Sequence, residues 1–96
     1  MRIALVIGST ISTIKDESIR GRKLLIVRDA DTEGKPKSEP YIAVDTVSAG
    51  TGDLVIVTDG SSARYTNQTT DAPVDAVIVG VIDSLELSGK VSYRKE

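Results

Sequence analysis

Short apolar runs separated by polar clusters are the dominant pattern along this chain. The runs are rich in valine and isoleucine, whose branched side chains favour extended backbone. Turn-forming residues concentrate between the runs, for example at Ser48–Asp53 and Glu86–Gly89. The pattern predicts five strands and a shorter sixth: Ile3–Ile7, which can continue to Ile14, Lys23–Val27, Tyr41–Val47, Leu54–Thr58, Ala76–Ile82 and Lys90–Arg94.

The sequence has no apolar pattern that keeps a helical period over three turns. The polar stretch Ser61–Asn67, which follows Gly60, is the segment that we expect to form a short helix. The economical fold is therefore a single all-β domain, residues 1–96, built as a barrel of five or six strands with one short helix.

Several predicted strands are apolar at nearly every position and do not alternate with polar residues, as in LLIV, LVIV and AVIVGVI. Both faces of such strands favour burial, but a domain of 96 residues has too little mass to cover the outside of its own barrel. An apolar outer surface of that size is rare on a soluble monomer. We therefore expect an oligomer in which neighbouring subunits cover these faces, with burial under the chain's own long loops as the alternative.

Composition excludes several classes of function. The net charge of −2 and the presence of only three aromatic residues, all tyrosines, disfavour a nucleic-acid partner and an anionic membrane surface. Cysteine and histidine are both absent, which removes thiolate chemistry, the commonest metal ligands and the commonest general base near neutral pH. The apolar run at the start of the chain is too short for a signal sequence or a membrane span. We expect a cytoplasmic protein without a cofactor or metal.

The stretch SAGTGDLVIV, residues 48–57, resembles a glycine-rich phosphate loop at first sight. A phosphate loop needs a helix directly after its glycines, because the phosphate binds the free N–H groups of the helix N-terminus. Here Gly52 is followed by Asp53 and then by a run with strand character. We therefore expect a turn between strands, in which glycines adopt positive φ.

The stretch RDADTEGKPKSEP imitates a calcium-binding loop, because Asp29, Asp31, Glu33 and Gly34 occupy the first, third, fifth and sixth positions. The twelfth position, which needs a bidentate carboxylate, is Pro40, and the flanking segments have strand character instead of helical character. A solvated loop between two strands is the expected structure.

The stretch DGSSARY resembles the nucleophile turn of a hydrolase, with Ser62 as the nucleophile. Arg64 occupies the position of the second glycine, and the chain has no histidine to activate the serine. We prefer serines that cap a short helix, with Arg64 free to bind carbonyl groups or a carboxylate.

Three aspartates, Asp45, Asp75 and Asp83, lie beside or inside apolar runs, where an unpaired carboxylate would be costly. Each is expected to have a partner. Arg64 is the obvious cation for one of them, across a strand or across a subunit boundary.

Four ordered stretches resemble the vertex proteins of bacterial microcompartments, the EutN/CcmL family. They are KLLIV from Lys23, AVDTVSAGTGDLV from Ala43, GSSAR from Gly60 and PVDAVIVGVID from Pro73, and the match extends over about residues 2–94. The resemblance implies a small OB-like barrel that assembles into a homopentamer and closes the fivefold corners of a shell made of hexameric and trimeric tile proteins. The C-terminal stretch SGKVSYRKE resembles the longer metabolosome members more than the carboxysome members.

The resemblance and the aspartates together give candidate residues for subunit contacts or for the axial pore region. They are Asp45, Gly50, Thr51, Gly52, Gly60, Ser61, Ser62, Ala63, Arg64, Asp75 and Asp83. Two functions of other classes remain as alternatives. One is a monomeric OB-type binding module, which would need a basic groove lined by aromatic residues, and the other is a small hydrolase that uses Ser62.

Overall fold

The computed structural model describes residues 1–11, 21–59 and 76–95, and these residues form seven strands. The strands are β1 (Arg2–Ser9), β2 (Lys23–Asp29), β3 (Tyr41–Asp45), β4 (Leu54–Asp59), β5 (Ala76–Val81), β6 (Ser84–Leu87) and β7 (Lys90–Arg94).

Five of the strands close into a barrel in the order β1-β2-β3-β5-β4, with β4 paired back to β1. Strands β3 and β5 run parallel, and the other barrel pairs are antiparallel. Strands β6 and β7 form a separate antiparallel pair, the C-terminal hairpin. The predicted small all-β barrel is confirmed, and its closure pairs both edges of each barrel strand.

The structure differs from the sequence expectation at several strand boundaries. Strand β1 ends at Ser9, and the continuation towards Ile14 enters residues outside the described ranges. Strand β3 ends at Asp45 because the Asp45 side chain binds the backbone beyond it, which turns the chain out of the sheet. The expected helix at Ser61–Asn67 lies outside the described residues.

The C-terminal hairpin corrects two expectations. The sequence pattern does not predict strand β6, because it places Glu86 and Leu87 in a turn, whereas the turn is limited to Ser88 and Gly89. Both turn residues have positive φ, 54° and 81°, as a two-residue hairpin turn of type I′ requires. Strand β7, the expected sixth strand, therefore pairs with β6 and is not part of the barrel.

Alternate strand positions fill the barrel interior with small and medium aliphatic side chains. The innermost cluster consists of Ala4, Val6, Leu25, Val27, Ala43, Ala49, Val55, Val57, Ala76 and Ile78, each at most 7% exposed. Tyr41, Val47 and Val81 pack against this cluster from the ends of the barrel strands and the adjoining loop.

The outside of the barrel carries two further apolar clusters. On β1 and β4, the outer residues pack with Leu85 and Tyr93 of the C-terminal hairpin. On this face the chain's own hairpin supplies part of the cover, and Ile3, Leu5 and Ile56 stay partly exposed. On β2, β3 and β5, Val44 and Val77 are buried together with Leu24 and Val79, whereas Ile42 on the same side is 47% exposed.

Gly34, at φ +84° in the β2–β3 loop, fixes how this loop meets the hairpin. A Cβ at Gly34 would lie 2.9 Å from Cδ1 of the Tyr93 ring. Gly34→Ala is expected to lower the free energy of unfolding by about 2 to 3 kcal/mol, because a positive φ costs an alanine about 1 kcal/mol and the ring must also shift.

The matched control for this prediction is Gly89→Ala, which has a φ of +81° but no atom within 4 Å of the added Cβ. It should cost about 1 kcal/mol, the backbone contribution alone. Chemical denaturation of the two variants measures the difference, and equal losses would contradict the close packing of Gly34 on Tyr93.

Candidate subunit-interface site

The β3–β4 loop, residues 46–53, contains three of the candidate residues and follows a fourth, Asp45. Asp45 is 8% exposed, and its carboxylate accepts hydrogen bonds from the N–H groups of Val47 at 3.0 Å and Ala49 at 2.9 Å. The expected partner of this buried aspartate is therefore the adjacent backbone. A carboxylate that accepts N–H groups from its own loop needs no cation to be stable in a buried position.

The second half of the β3–β4 loop is closed by Asp53. Its Oδ2 accepts the N–H of Gly50 at 2.9 Å, and its own N–H donates to the carbonyl oxygen of Gly50 at 3.0 Å. Gly52 has a φ of +94°, as expected for a turn glycine, but the other positive φ of the loop belongs to Ser48, at 60°. Thr51 and Gly52 are exposed at the tip.

Neighbouring strands hold the β3–β4 loop at both ends. The N–H of Gly52 donates to the carbonyl oxygen of Val6, and the N–H of Val6 donates to that of Asp53, both at 2.9 Å. The Lys23 ammonium donates to the carbonyl oxygen of Ala49 at 2.7 Å. The loop N–H groups that a phosphate would need, at Ala49, Gly50 and Gly52, are thus used inside the protein, and the predicted turn is confirmed.

Lys95 links the β3–β4 loop to the base of the C-terminal hairpin. Its backbone N–H donates to the carbonyl oxygen of Asp83 at 2.7 Å, and its ammonium lies 3.7 Å from Oδ1 of Asp53. Two separate groups of candidate residues, Asp83 and the glycine turn, therefore lie beside the same lysine. Asp83 is exposed, so water can solvate its carboxylate and the burial that motivated the expected partner is absent at this position.

The remaining candidate residues lie outside the described ranges. They are Gly60, Ser61, Ser62, Ala63, Arg64 and Asp75. The expected pairing of Arg64 with a carboxylate lies there too, and so does the serine of the alternative hydrolase.

Sequence reasoning missed Lys23, Asp53 and Lys95, the side chains that hold the β3–β4 loop. Asp53 had a local signal, because an aspartate side chain can bind the backbone three residues earlier, and Gly50 stands at that position. Lys23 and Lys95 had none, since their contacts depend on strand pairing and on the position of the hairpin.

The calcium-like loop joins β2 to β3, as expected of a loop between two strands. Asp31 Oδ1 accepts the N–H groups of Lys35 at 3.0 Å and Glu33 at 2.9 Å, and these hydrogen bonds lower the pKa of the Asp31 carboxyl below its ordinary value. Asp29 instead binds the Tyr41 hydroxyl at 2.7 Å. The carboxylates of Asp29 and Asp31 therefore bind different partners.

Other site types can be tested only within the described part of the chain. There, no group of three or more acidic residues is arranged to hold a metal ion. The same residues include no helix that is long and apolar enough to cross a membrane. What this part contains is a small closed-barrel scaffold whose polar side chains hold its loops and its hairpin in place.

Comparison with known proteins agrees with a small closed-barrel scaffold protein. The family model described as "Ethanolamine utilisation protein EutN/carboxysome" matches residues 1–83. The microcompartment shell vertex protein EutN of Salmonella typhimurium is 35% identical over 99% of this chain and 96% of its own length. The carboxysome shell vertex protein CcmL of Synechocystis is 39% identical over 99% of this chain and 95% of its own length.

A solved structure adds the assembly state of one relative. The structure titled "GrpN pentameric microcompartment shell protein from Rhodospirillum rubrum" has a TM-score of 0.80 and 42% identity, and it covers 91% of this chain and 99% of that one. The chain belongs to the EutN/CcmL family. Its relatives are structural shell proteins and not enzymes, so the expected class is confirmed and the hydrolase alternative is wrong. Microcompartment shells lie in the cytoplasm, the expected location.

Proposed function

We propose that this chain forms a homopentamer that occupies the fivefold vertices of a bacterial microcompartment shell. The observation that carries the proposal is the match of nearly the whole chain to shell vertex proteins, one of them pentameric in its solved structure. A ring of identical subunits joined head to tail closes when the rotation per subunit fits, and a fivefold ring supplies the corner that flat sixfold tiles lack.

The β3–β4 loop and the adjacent base of the C-terminal hairpin are proposed to contribute to the subunit interface. Thr51 and Gly52 are exposed, while the loop beneath them is fixed by hydrogen bonds to Val6, Asp53 and Lys23. A surface that is already rigid loses little conformational entropy when it binds. Gly60–Arg64 stay predicted contact residues on the family resemblance, and Asp75 stays one because it lies beside an apolar run.

We assign the shell to a metabolosome, with hexameric and trimeric tile proteins of that shell as partners. The support is the C-terminal stretch SGKVSYRKE, most of which forms β7 and the turn before it. The microcompartment protein EutN and the carboxysome protein CcmL both match over 99% of this chain, so the assignment rests on the C-terminal stretch alone. Co-expression with tile proteins of either type tests the assignment, and incorporation into carboxysome shells alone would overturn it.

Native mass spectrometry of the purified chain tests the oligomer directly. The expected spectrum has a dominant species of five subunits of 10.2 kDa each. A dominant monomer at micromolar concentration would contradict the vertex function and favour the binding-module alternative. The binding-module alternative would also require measurable affinity for short single-stranded RNA or DNA, a separate assay on the same sample.

A further inference from the structure

The C-terminal hairpin extends past the barrel surface on which its base packs. Leu85 and Tyr93, which face each other across the hairpin, pack on the outer barrel cluster. The residues from Glu86 to Val91 are all exposed, and a Cβ added at Gly89 would have no atom within 4 Å. The tight Ser88–Gly89 turn keeps this extension short and well defined.

The apolar side of the hairpin continues onto this extension. Leu87 lies two residues after Leu85 in strand β6, so both side chains point to the same side of the hairpin. Leu85 packs on the barrel, but Leu87 is 56% exposed. The pairing of the hairpin shifts by one residue between Leu85 and Glu86, with Ser92 as the extra residue. Val91 therefore pairs with Glu86 and belongs to the opposite side, although it lies only two residues from Tyr93. The side that binds the barrel thus ends in a leucine that the barrel does not cover.

A second exposed apolar surface lies on the barrel, on β2, β3 and the last residues of β1, beyond the β1 residues on which the hairpin packs. Ile26 of β2 and Ile42 of β3 are directly opposite each other, and Gly8 of β1 pairs with Ile26 on its other side. Ile7, in the bulge next to Gly8, is 40% exposed, and Ile42 is 47% exposed. We name Ile7, Ile26 and Ile42 the isoleucine row.

A second copy of this chain explains both surfaces at once. In a closed ring each subunit uses two different surfaces, one towards each neighbour. The large apolar residues that are exposed in the described part, apart from Met1 and Ile11, all belong to the hairpin extension or to the isoleucine row. The isoleucine row is apolar, and the hairpin extension has one residue of each charge, Glu86 and Lys90. Burial of the apolar side chains of the two surfaces against each other would remove both from water.

We propose that Leu87 of each subunit packs on the isoleucine row of the next subunit in the ring. The assignment rests on the proposed pentamer and adds to it the pair of surfaces that meet. Because the hairpin turn is tight and the row is part of the closed barrel, the contact would form with little ordering of either surface.

Disulfide trapping tests this contact, because the chain contains no cysteine of its own. The double variant Leu87→Cys/Ile42→Cys should form disulfides between subunits under mild oxidation, giving a ladder of covalent species up to five subunits on a denaturing gel. The matched control is Val91→Cys/Ile42→Cys, whose first cysteine lies on the opposite side of the hairpin. It should cross-link at least about tenfold less, because its Cβ points away from the isoleucine row and two cysteines whose Cβ vectors point apart cannot be bridged without movement of the backbone.

Dilution of the ring gives an independent measurement. Leu87→Ser should raise the concentration at which the ring dissociates about tenfold or more, because each subunit loses one buried leucine contact. Val91→Ser, the control of similar polarity change, should change it less than about threefold. Leu87 is exposed in the single subunit, so the circular dichroism spectrum should not change in either variant.

The outcomes separate the contact from the function. A pentamer in the unmodified chain combined with equal cross-linking of both cysteine pairs, or with disulfides confined to single chains, would overturn the Leu87 contact and leave the vertex function standing. Absence of a pentamer in the unmodified chain would overturn both.

Discussion

Asp45→Ala is expected to lower the free energy of unfolding by about 3 to 5 kcal/mol, because a hydrogen bond to a charged group contributes about 1.5 to 3 kcal/mol and Asp45 accepts two. The variant also leaves the N–H groups of Val47 and Ala49 without their acceptor. Ala49 is fully buried, so water cannot replace the carboxylate there. Denaturation with guanidinium chloride measures the loss.

Two further variants make this prediction specific. Asp45→Asn keeps the shape but replaces one acceptor oxygen by an amide group that faces a backbone N–H, so about half of the loss should remain. Asp83→Ala removes an aspartate from an exposed position and should change the free energy of unfolding by less than about 0.5 kcal/mol. Similar losses for Asp45→Ala and Asp83→Ala would contradict the role of Asp45 in holding the backbone of the β3–β4 loop.

The Asp45 variants also report on the interface proposal. The carboxylate fixes the first half of the β3–β4 loop, which carries Gly50, Thr51 and Gly52. If these residues contact a neighbouring subunit, Asp45→Asn should destabilise the ring by more than the loss in folding stability of the single subunit explains. Native mass spectrometry over a dilution series separates the two effects.

Leu25→Ala is expected to lower the free energy of unfolding by about 3 to 4 kcal/mol, within the range of about 2 to 5 kcal/mol found for leucine truncations in close-packed cores. Leu25 is 1% exposed and lies in the barrel interior with Val6, Val27 and Ala43. The surrounding strands belong to a closed barrel, which limits how far they can move in to fill the cavity.

Leu24→Ala is the matched control, because it makes the same change one residue earlier on β2. Leu24 points to the outside of the barrel and is half-buried against Val44 and Val77. Its truncation should cost about 1 kcal/mol, in proportion to the smaller apolar area that it buries. Chemical denaturation at one fixed subunit concentration compares the two variants, and equal losses would contradict the assignment of the β2 faces.

The sequence predicted the barrel well because its strands have strong local signals. Valine and isoleucine runs such as those of β4 and β5 favour an extended chain on their own. Their apolar side chains point to both faces of the strand, so both faces favour burial. The hairpin was harder to predict. Ser84–Leu87 contains one serine and one glutamate in four residues, and its role as a strand depends on pairing with β7.

The candidate site also contains some features that the sequence predicts and others that it does not. Gly52 could be assigned to a turn because a positive φ at this position suits glycine, whereas the positive φ of Ser48 has no sequence signal. The buried position of Asp45 could be predicted from the apolar residues around it. Its partners could not, because a carboxylate beside an apolar run can be satisfied by a cation or by backbone N–H groups.

By itself, the sequence determined the all-β class, the absence of thiol and imidazole chemistry and the family, because each depends on residue types and on their local order. The tertiary structure decided which outer face the chain covers with its own hairpin, which lysine meets Asp53 and which leucine is left exposed. These features depend on residues far apart along the chain, such as Gly34 and Tyr93, and such contacts exist only after the barrel has closed and the hairpin has packed on it.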